Sequence, residues 1–244
     1  MIDRERLQLY AAEYGVTVDN RAAERFDRYA ELLVDWNTRM NLTAITSPEG
    51  IVLKHFADSL TALPLLPKKQ GITVIDVGTG AGFPGIPLAI VREDIELTLL
   101  DSLNKRLVFL REVCDALGIR AKTVHARAEE GGQNKALREM YDVSTARAVA
   151  ALPVLTEYCM PFVKTGGRFI AMKGPDSDAE LVAAKKAVAL LGGRVSDVQK
   201  LTVPCNPHEG VEPQERRLIV IEKEKPTPPR FPRPSAKIAK EPLG

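Results

Sequence analysis

The chain has 244 residues, of which 45% are hydrophobic and 27% charged, the balance of a globular protein able to bury one sizeable core plus an appendage. Its 34 Lys+Arg against 32 Asp+Glu leave a net charge of +2, so overall charge does not mark a nucleic-acid binder. No run approaches the roughly 18 apolar residues of a membrane helix. The first residues, MIDRERLQLY, are charged where an export signal would be apolar. Cys114, Cys159 and Cys205 are too dispersed for a zinc ribbon or a disulfide scaffold. The expectation is a cytosolic, metal-free protein.

The first seventy residues read as helices. Leu7, Tyr10, Ala11 and Tyr14 recur at helical spacing until Gly15 stops them. Asp19 or Asn20 can cap a second helix whose apolar stripe is Phe26, Tyr29, Leu32, Leu33 and Trp36. Ser47 followed by Pro48 opens a third, which carries Ile51, His55, Leu60 and Leu63 before Pro64 and Pro67 end it. From Gly71 the texture changes. Strands are expected at 72–77, 95–101, 120–126, 141–146, 167–173 and 217–223, with a weaker one near 194–203. Helices are expected between them at 85–92, 103–117, 152–162 and 177–191. Strands that are apolar almost throughout, separated by helices, imply a mainly parallel sheet covered on both faces, and two consecutive strands at the end imply an antiparallel edge. The fold class is α/β: a doubly wound, mainly parallel seven-stranded sheet with a helical N-terminal cap. The expected units are a cap over 1–70, a sheet domain over 71–224 and an arm over 225–244.

That arm, KPTPPRFPRPSAKIAKEPLG, holds six of the 17 prolines and five basic residues against one acid. Proline at this density argues against helix and strand and for extended chain. Two readings stand beside each other, a disordered end and a basic arm for phosphates.

The strongest chemical signal is VIDVGTGAGFPGIPLAI at 74–90, a strand running through Gly78, Gly80 and Gly82 into a helix. Glycines let a ligand lie against bare backbone, and a carboxylate at Asp101, the end of the next strand, can accept both hydroxyls of a ribose. Phe83 stands where a dinucleotide fingerprint needs its third glycine, and Asp76 within the first strand is a poor neighbour for a pyrophosphate. A nucleoside ligand with a cationic centre, S-adenosylmethionine, suits these residues better. After the third strand, Ala128 and Glu129 fall where the adenine would lie, although Glu129 can equally cap the segment that follows.

After the fourth strand the sequence is Thr145-Ala146-Arg147-Ala148-Val149-Ala150. It holds no N-P-P-Y or D-P-P-Y run to grip an exocyclic amine and no cysteine to attack a pyrimidine; Cys205 reads as an ordinary loop or edge residue. A purine ring nitrogen with a free lone pair needs alignment more than acid–base machinery, which fits the lack of an obvious catalytic base. Arg147 either orients a ligand or pairs with Asp142 or another nearby acid.

These residues carry a family likeness. Trp36-Asn37 with Met40-Asn41-Leu42-Thr43, Lys54-His55-Phe56-Ala57-Asp58-Ser59-Leu60, the segment Asp76 to Gly85, Leu100 to Arg106, Ala128-Glu129, Arg147-Ala148, Met172-Lys173-Gly174 and Phe231-Pro232-Arg233 together resemble the rRNA small subunit methyltransferase G (glucose-inhibited division protein B) family. The resemblance implies a class I, Rossmann-like methyltransferase that transfers the methyl group of S-adenosylmethionine to N7 of a guanine in 16S rRNA of the small ribosomal subunit, working as a monomer. By matching position it implies cofactor contacts from Gly78, Phe83, Asp101, Ser102, Leu103, Ala128, Glu129 and Arg147, beside the loop glycines Gly80 and Gly82. It assigns no catalytic residue. Arg216-Arg217 departs from the Arg-His common in relatives. Asn41, Lys54, His55 and Asp58 become candidates for the acceptor side, although Asp58 can simply pair with Lys54 one helical turn away. RNA phosphates are expected to meet Arg39, Lys54, Lys105, Arg106, Arg230 and Arg233. The competing readings are a methyltransferase for a small molecule, an NAD(P)-dependent oxidoreductase on the same fold and a non-catalytic RNA-binding subunit.

Overall fold

The structure is a computed structural model that describes residues 1–147, 149–175, 177–203 and 214–244; the expectation for Cys205 lies outside the described residues. The chain opens with α1 (Arg4–Glu13), α2 (Asn20–Asn37) and α3 (Pro48–Ile51). Each starts on a side chain that accepts a first-turn N–H: Asp3 from Arg6, Asp19 from Ala22 and Ser47 from Gly50. Beyond α3 the helix widens into π turns over Val52–Ala57 and closes as α4 (Asp58–Leu60). The wide turns are an irregularity of the kind often found beside functional sites.

The sheet follows in alternation: β1 (Thr73–Val77), α5 (Gly85–Val91), β2 (Glu96–Asp101), α6 (Asn104–Leu117), β3 (Ala121–His125), α7 (Ala128–Gln133), β4 (Tyr141–Arg147), α8 (Leu152–Cys159), β5 (Val163–Lys173), α9 (Ser177–Leu190), β6 (Gly193–Val203) and β7 (Gln214–Lys223). Strand order is β3-β2-β1-β4-β5-β7-β6. The first five strands are parallel, and β7 runs antiparallel between β5 and β6. Central strands β1, β2 and β4 are buried almost end to end, whereas edge strands β3 and β6 are mostly exposed or half-buried, as their charged residues require.

Successive side chains of a strand point to opposite faces, and here they feed two separate cores. Val74, Leu97 and Leu99 face one core together with Leu7, Phe26 and Tyr29 of the N-terminal helices and Leu107 of α6. Ile75, Val77 and Leu100 face the other, with Leu155 of α8, Ala184 of α9 and Phe231 of the tail. The N-terminal helices are therefore part of one face of the sheet. The last twenty residues correct the expectation of extended chain: Phe231 is buried, and α10 (Ser235–Lys240) is a helix whose Ile238 is also buried. Pro234 precedes the first turn, where a missing N–H costs nothing.

Phe56 joins these parts, its ring 4.8 Å from that of Phe26 and 6.1 Å from that of Phe83. Truncation by Phe56→Ala is expected to cost about 3–5 kcal/mol. Because cap and sheet share one core, denaturant unfolding of this variant should show a single transition at a lower midpoint; an early separate transition for the cap would contradict the shared core.

Candidate active site

Strand order reverses between β1 and β4, so their carboxyl ends diverge and leave the crevice where open α/β sheets bind ligands. The glycine loop leaves β1 at this point. It is clipped to the neighbouring strand by Gly78 and Thr79, whose N–H groups both donate to the Leu100 carbonyl at 2.9 and 3.1 Å. Gly78 has φ +68°, and a Cβ there would lie 2.9 Å from a methyl of Val149, so a side chain would both strain the turn and fill the space above it. Beneath the loop, buried Asp76 accepts from the Thr79 hydroxyl at 2.6 Å and from Gly85 N–H at 2.9 Å. Burial pushes its carboxyl up to about 6, those two donors offsetting part of the shift. Its second oxygen has no hydrogen-bond partner.

Asp101 ends β2 across from the loop. One carboxylate oxygen accepts from Gly80 N–H at 2.9 Å and the other from Leu103 N–H at 2.8 Å, while Arg106 stands 3.4 Å away. These bonds fix the carboxylate at the floor of a cleft of about 320 Å³. Of the residues expected to bind cofactor, Gly78, Asp101, Ser102, Ala128 and Glu129 line this cleft, and Gly80 and Leu103 brace it through Asp101. Glu129 does not cap the segment after β3; Glu130 does, accepting from Arg127 N–H at 3.2 Å. Tyr158 of α8, Val149 and Ser235 of α10 also line the cleft. Tyr158 sits one residue from an apolar stripe and carries no signal in the sequence, and nothing local brings Ser235 here from a distance of over 130 residues.

The remaining expected residues lie on the far side of the loop. Gly82 (φ +99°) is where the cap closes on the loop, since a Cβ would meet the Tyr29 hydroxyl at 2.5 Å; that hydroxyl donates to the Ala81 carbonyl. Phe83 is buried between the rings of His55, at 4.4 Å, and Tyr29, at 5.4 Å, with the Arg147 guanidinium 4.9 Å from its centroid. Arg147 pairs with a nearby acid, Asp58 rather than Asp142, donating to it at 2.7 Å and to the Lys54 carbonyl at 3.1 Å. Asp142 is instead held by Lys69, Lys164 and Thr73 at the opposite end of the sheet. Asp58, wholly buried, does not pair with Lys54; its other oxygen accepts from Arg216 of β7 at 2.8 Å. The pairing follows from topology, because the C-terminal end of β4 and the start of β7 bring Arg147 and Arg216 to Asp58.

Among the cations expected to meet phosphate, Arg233 is excluded: it makes a two-pronged bond to Glu157, whose side chain is fully buried. Arg106 faces Asp101 in the cleft, and Arg39 pairs with Asp35 while lying over Trp36. Lys105 and Arg230 are exposed. Among the described residues no cluster of His, Cys, Asp and Glu has metal-binding geometry, and no helix is long and apolar enough to cross a membrane.

Burial, reinforced by the Arg147 charge, lowers His55 to about 3. Its folded pKa lies below the ordinary value near 6.5, so the folded state binds fewer protons and stability falls as pH drops from about 6.5 toward 3, by up to about 1.4 kcal/mol per unit. Asp76, raised, contributes with the opposite sign. The loss of denaturant midpoint between pH 7 and 5 is expected to be shallower in His55→Phe than in the parent chain.

Residues 22–208 match the family model described as GidB, rRNA small subunit methyltransferase G. Proteins named ribosomal RNA small subunit methyltransferase G are 49% identical over 234 residues in Acetivibrio thermocellus, covering 96% of this chain and 93% of the relative, and 47% identical over 230 residues in Clostridium perfringens, covering 94% of each. Among solved structures, precorrin-6y C5,15-methyltransferase from Geobacter metallireducens superposes with a TM-score of 0.54 at 16% identity, covering 68% of this chain and 87% of that one. A SAM-dependent O-methyltransferase from Thermotoga maritima gives 0.50 at 18% identity, covering 79% and 72%. The two structures share the fold alone; the sequence relatives share nearly the whole chain. The chain belongs to the rRNA small subunit methyltransferase G family.

Proposed function

We propose that this protein, acting as a monomer in the cytoplasm, methylates N7 of a guanine in 16S rRNA of the small ribosomal subunit, with S-adenosylmethionine bound in the cleft at the switch point. The observation that carries the cofactor assignment is the fixed Asp101 carboxylate facing bare backbone at Gly78 across the cleft floor. The cleft fits the cofactor: Gly78 presents backbone without a side chain to the cleft, beside Val149, and Asp76 keeps one buried acceptor oxygen unmatched beneath the loop. Asp101 and Ser102 would hold the ribose, Ala128 and Glu129 the adenine, and the loop backbone at Gly78 and Gly80 the amino-acid end.

S-adenosylmethionine supplies an electrophilic methyl group on a sulfonium. Guanine N7 carries a lone pair and no proton, so the chain has to align two reactants and exclude water, with no base to supply. His55 of the π turns and Arg147 at the end of β4 agree with this. His55 is neutral and a feeble base when its pKa is about 3, and its Nε2 is engaged with the Thr43 hydroxyl at 2.8 Å. Arg147 is a guanidinium, a donor with no lone pair to offer as a base, and it is held in place by Asp58. Tertiary contacts thus supply a rigid, cationic wall beside Phe83 on which an acceptor base can be oriented.

Three experiments test this reading. Methyl transfer from labelled S-adenosylmethionine to small subunits from cells lacking the protein, followed by borohydride and aniline, should label 16S rRNA and give one aniline-dependent cut. Label without a cut would replace N7 with another acceptor atom. Asp101→Ala should lose S-adenosylhomocysteine binding by tenfold or more, about 1.4 kcal/mol or above. For RNA, reversing the exposed cations with Lys105→Glu and Arg230→Glu is expected to weaken binding and to flatten its salt dependence by about one counterion per site, with cofactor affinity unchanged.

A further inference from the structure

We infer that the C-terminal arm is a wall of the cofactor cleft, with Arg233 as its latch and Ser235 as the residue that closes the cleft at the nucleoside end. The inference rests on the cofactor reading of that cleft and extends it to a segment whose composition points elsewhere.

The arm is fastened to the two helices that form the cleft's outer side. Glu157 of α8 is fully buried, and Arg233 supplies both prongs of its guanidinium, at 2.9 and 2.7 Å, together with its backbone N–H at 2.8 Å. A carboxylate so buried is tolerable only with its charge and lone pairs matched, so α8 and the arm depend on each other. The next residue along α8 is Tyr158, which lines the cleft. On the other side, Gln133 at the end of α7 donates to the Pro232 carbonyl at 3.0 Å, and a Cβ on Gly132 would lie 2.9 Å from the Pro232 ring, so arm and α7 are in close contact. The first turn of α7 carries Ala128 and Glu129, which also line the cleft. Arg138 adds bonds to the carbonyls of Thr227 and Phe231, each at 2.7 Å.

Ser235 comes two residues after the latch, within about 7 Å of chain, and it is the arm residue that lines the cleft. Asp101 and Gly78 form the floor, whereas Ala128, Glu129, Tyr158 and Ser235 stand together on the α7–α8 side. A side chain on Ser235 therefore meets the part of the ligand farthest from the glycine loop. That part is the nucleoside base if the ribose lies on Asp101. The neighbouring Ala236 is exposed and does not line the cleft.

The test uses full-length protein and titration calorimetry with S-adenosylhomocysteine, with adenosine as a competing second probe. Ser235→Trp should weaken both ligands by about tenfold or more, because it fills space the base needs. Ala236→Trp should leave both within about twofold, which separates a cleft effect from a general disturbance of the short helix. Arg233→Ala should weaken both ligands, and Arg233→Lys should recover part of the loss. Parent-like binding by Ser235→Trp, an equal loss in Ala236→Trp, or a loss for S-adenosylhomocysteine with adenosine unaffected would each overturn the proposal. Failure of the parent protein to bind S-adenosylhomocysteine would instead overturn the cofactor assignment itself.

Discussion

The Asp58 carboxylate is the constraint around which the junction between the N-terminal helices and the sheet is arranged. It is wholly buried, and each of its oxygens is matched by an arginine from a different strand, Arg147 at the end of β4 and Arg216 near the start of β7. A buried anion is tolerated only when its partners are held in good geometry, and removing one partner strands the remaining charges. That requirement fixes the π turns of the cap against the ends of β4 and β7. It also orients Arg147 over Phe83, and the stacked His55 ring is kept neutral by the same burial and the same positive charge.

The glycine loop serves both sides of this arrangement. Gly78 and Gly80 face Asp101 and the cleft, while Gly82 and Phe83 face Tyr29 and His55 of the N-terminal helices. One short segment thus couples the cleft floor to the cap, and Asp76 braces it from below through Thr79 and Gly85. The cap is consequently more than a cover: the wall it presents beside Phe83 is built from side chains whose positions the loop itself determines.

The arm solves a comparable problem on the opposite face of the sheet. Its prolines supply no donors of their own, and its carbonyls are taken up by Gln133 and Arg138 from the body of the protein. Deeper still, Lys223, lowered to about 8 by burial, donates to the Met160 carbonyl at 2.8 Å and to the Thr227 hydroxyl, tying the end of β7 to the start of the arm. Cations that look like a phosphate-binding tail are divided by this packing: Arg233 is consumed internally, whereas Arg230 stays at the surface over Phe231.

Local pattern was enough to determine the α/β class, nearly all the strands and helices, the Asp19 and Ser47 caps, the antiparallel edge, and the glycine loop with Asp101, because periodicity, caps and turn glycines act over a few residues. Partner choice was not legible in the same way. Asp58 chose Arg147 and Arg216 over Lys54, Arg233 chose Glu157 over solvent, and Ser235 reached the cleft from the far end of the chain. Each of those outcomes depends on which strand ends and helix faces the topology brings together, and on the cost of leaving a charge buried without a partner. Sequence determined which elements form and where the glycine loop meets Asp101; only the tertiary structure decided which charges are spent inside the protein and which stay at its surface.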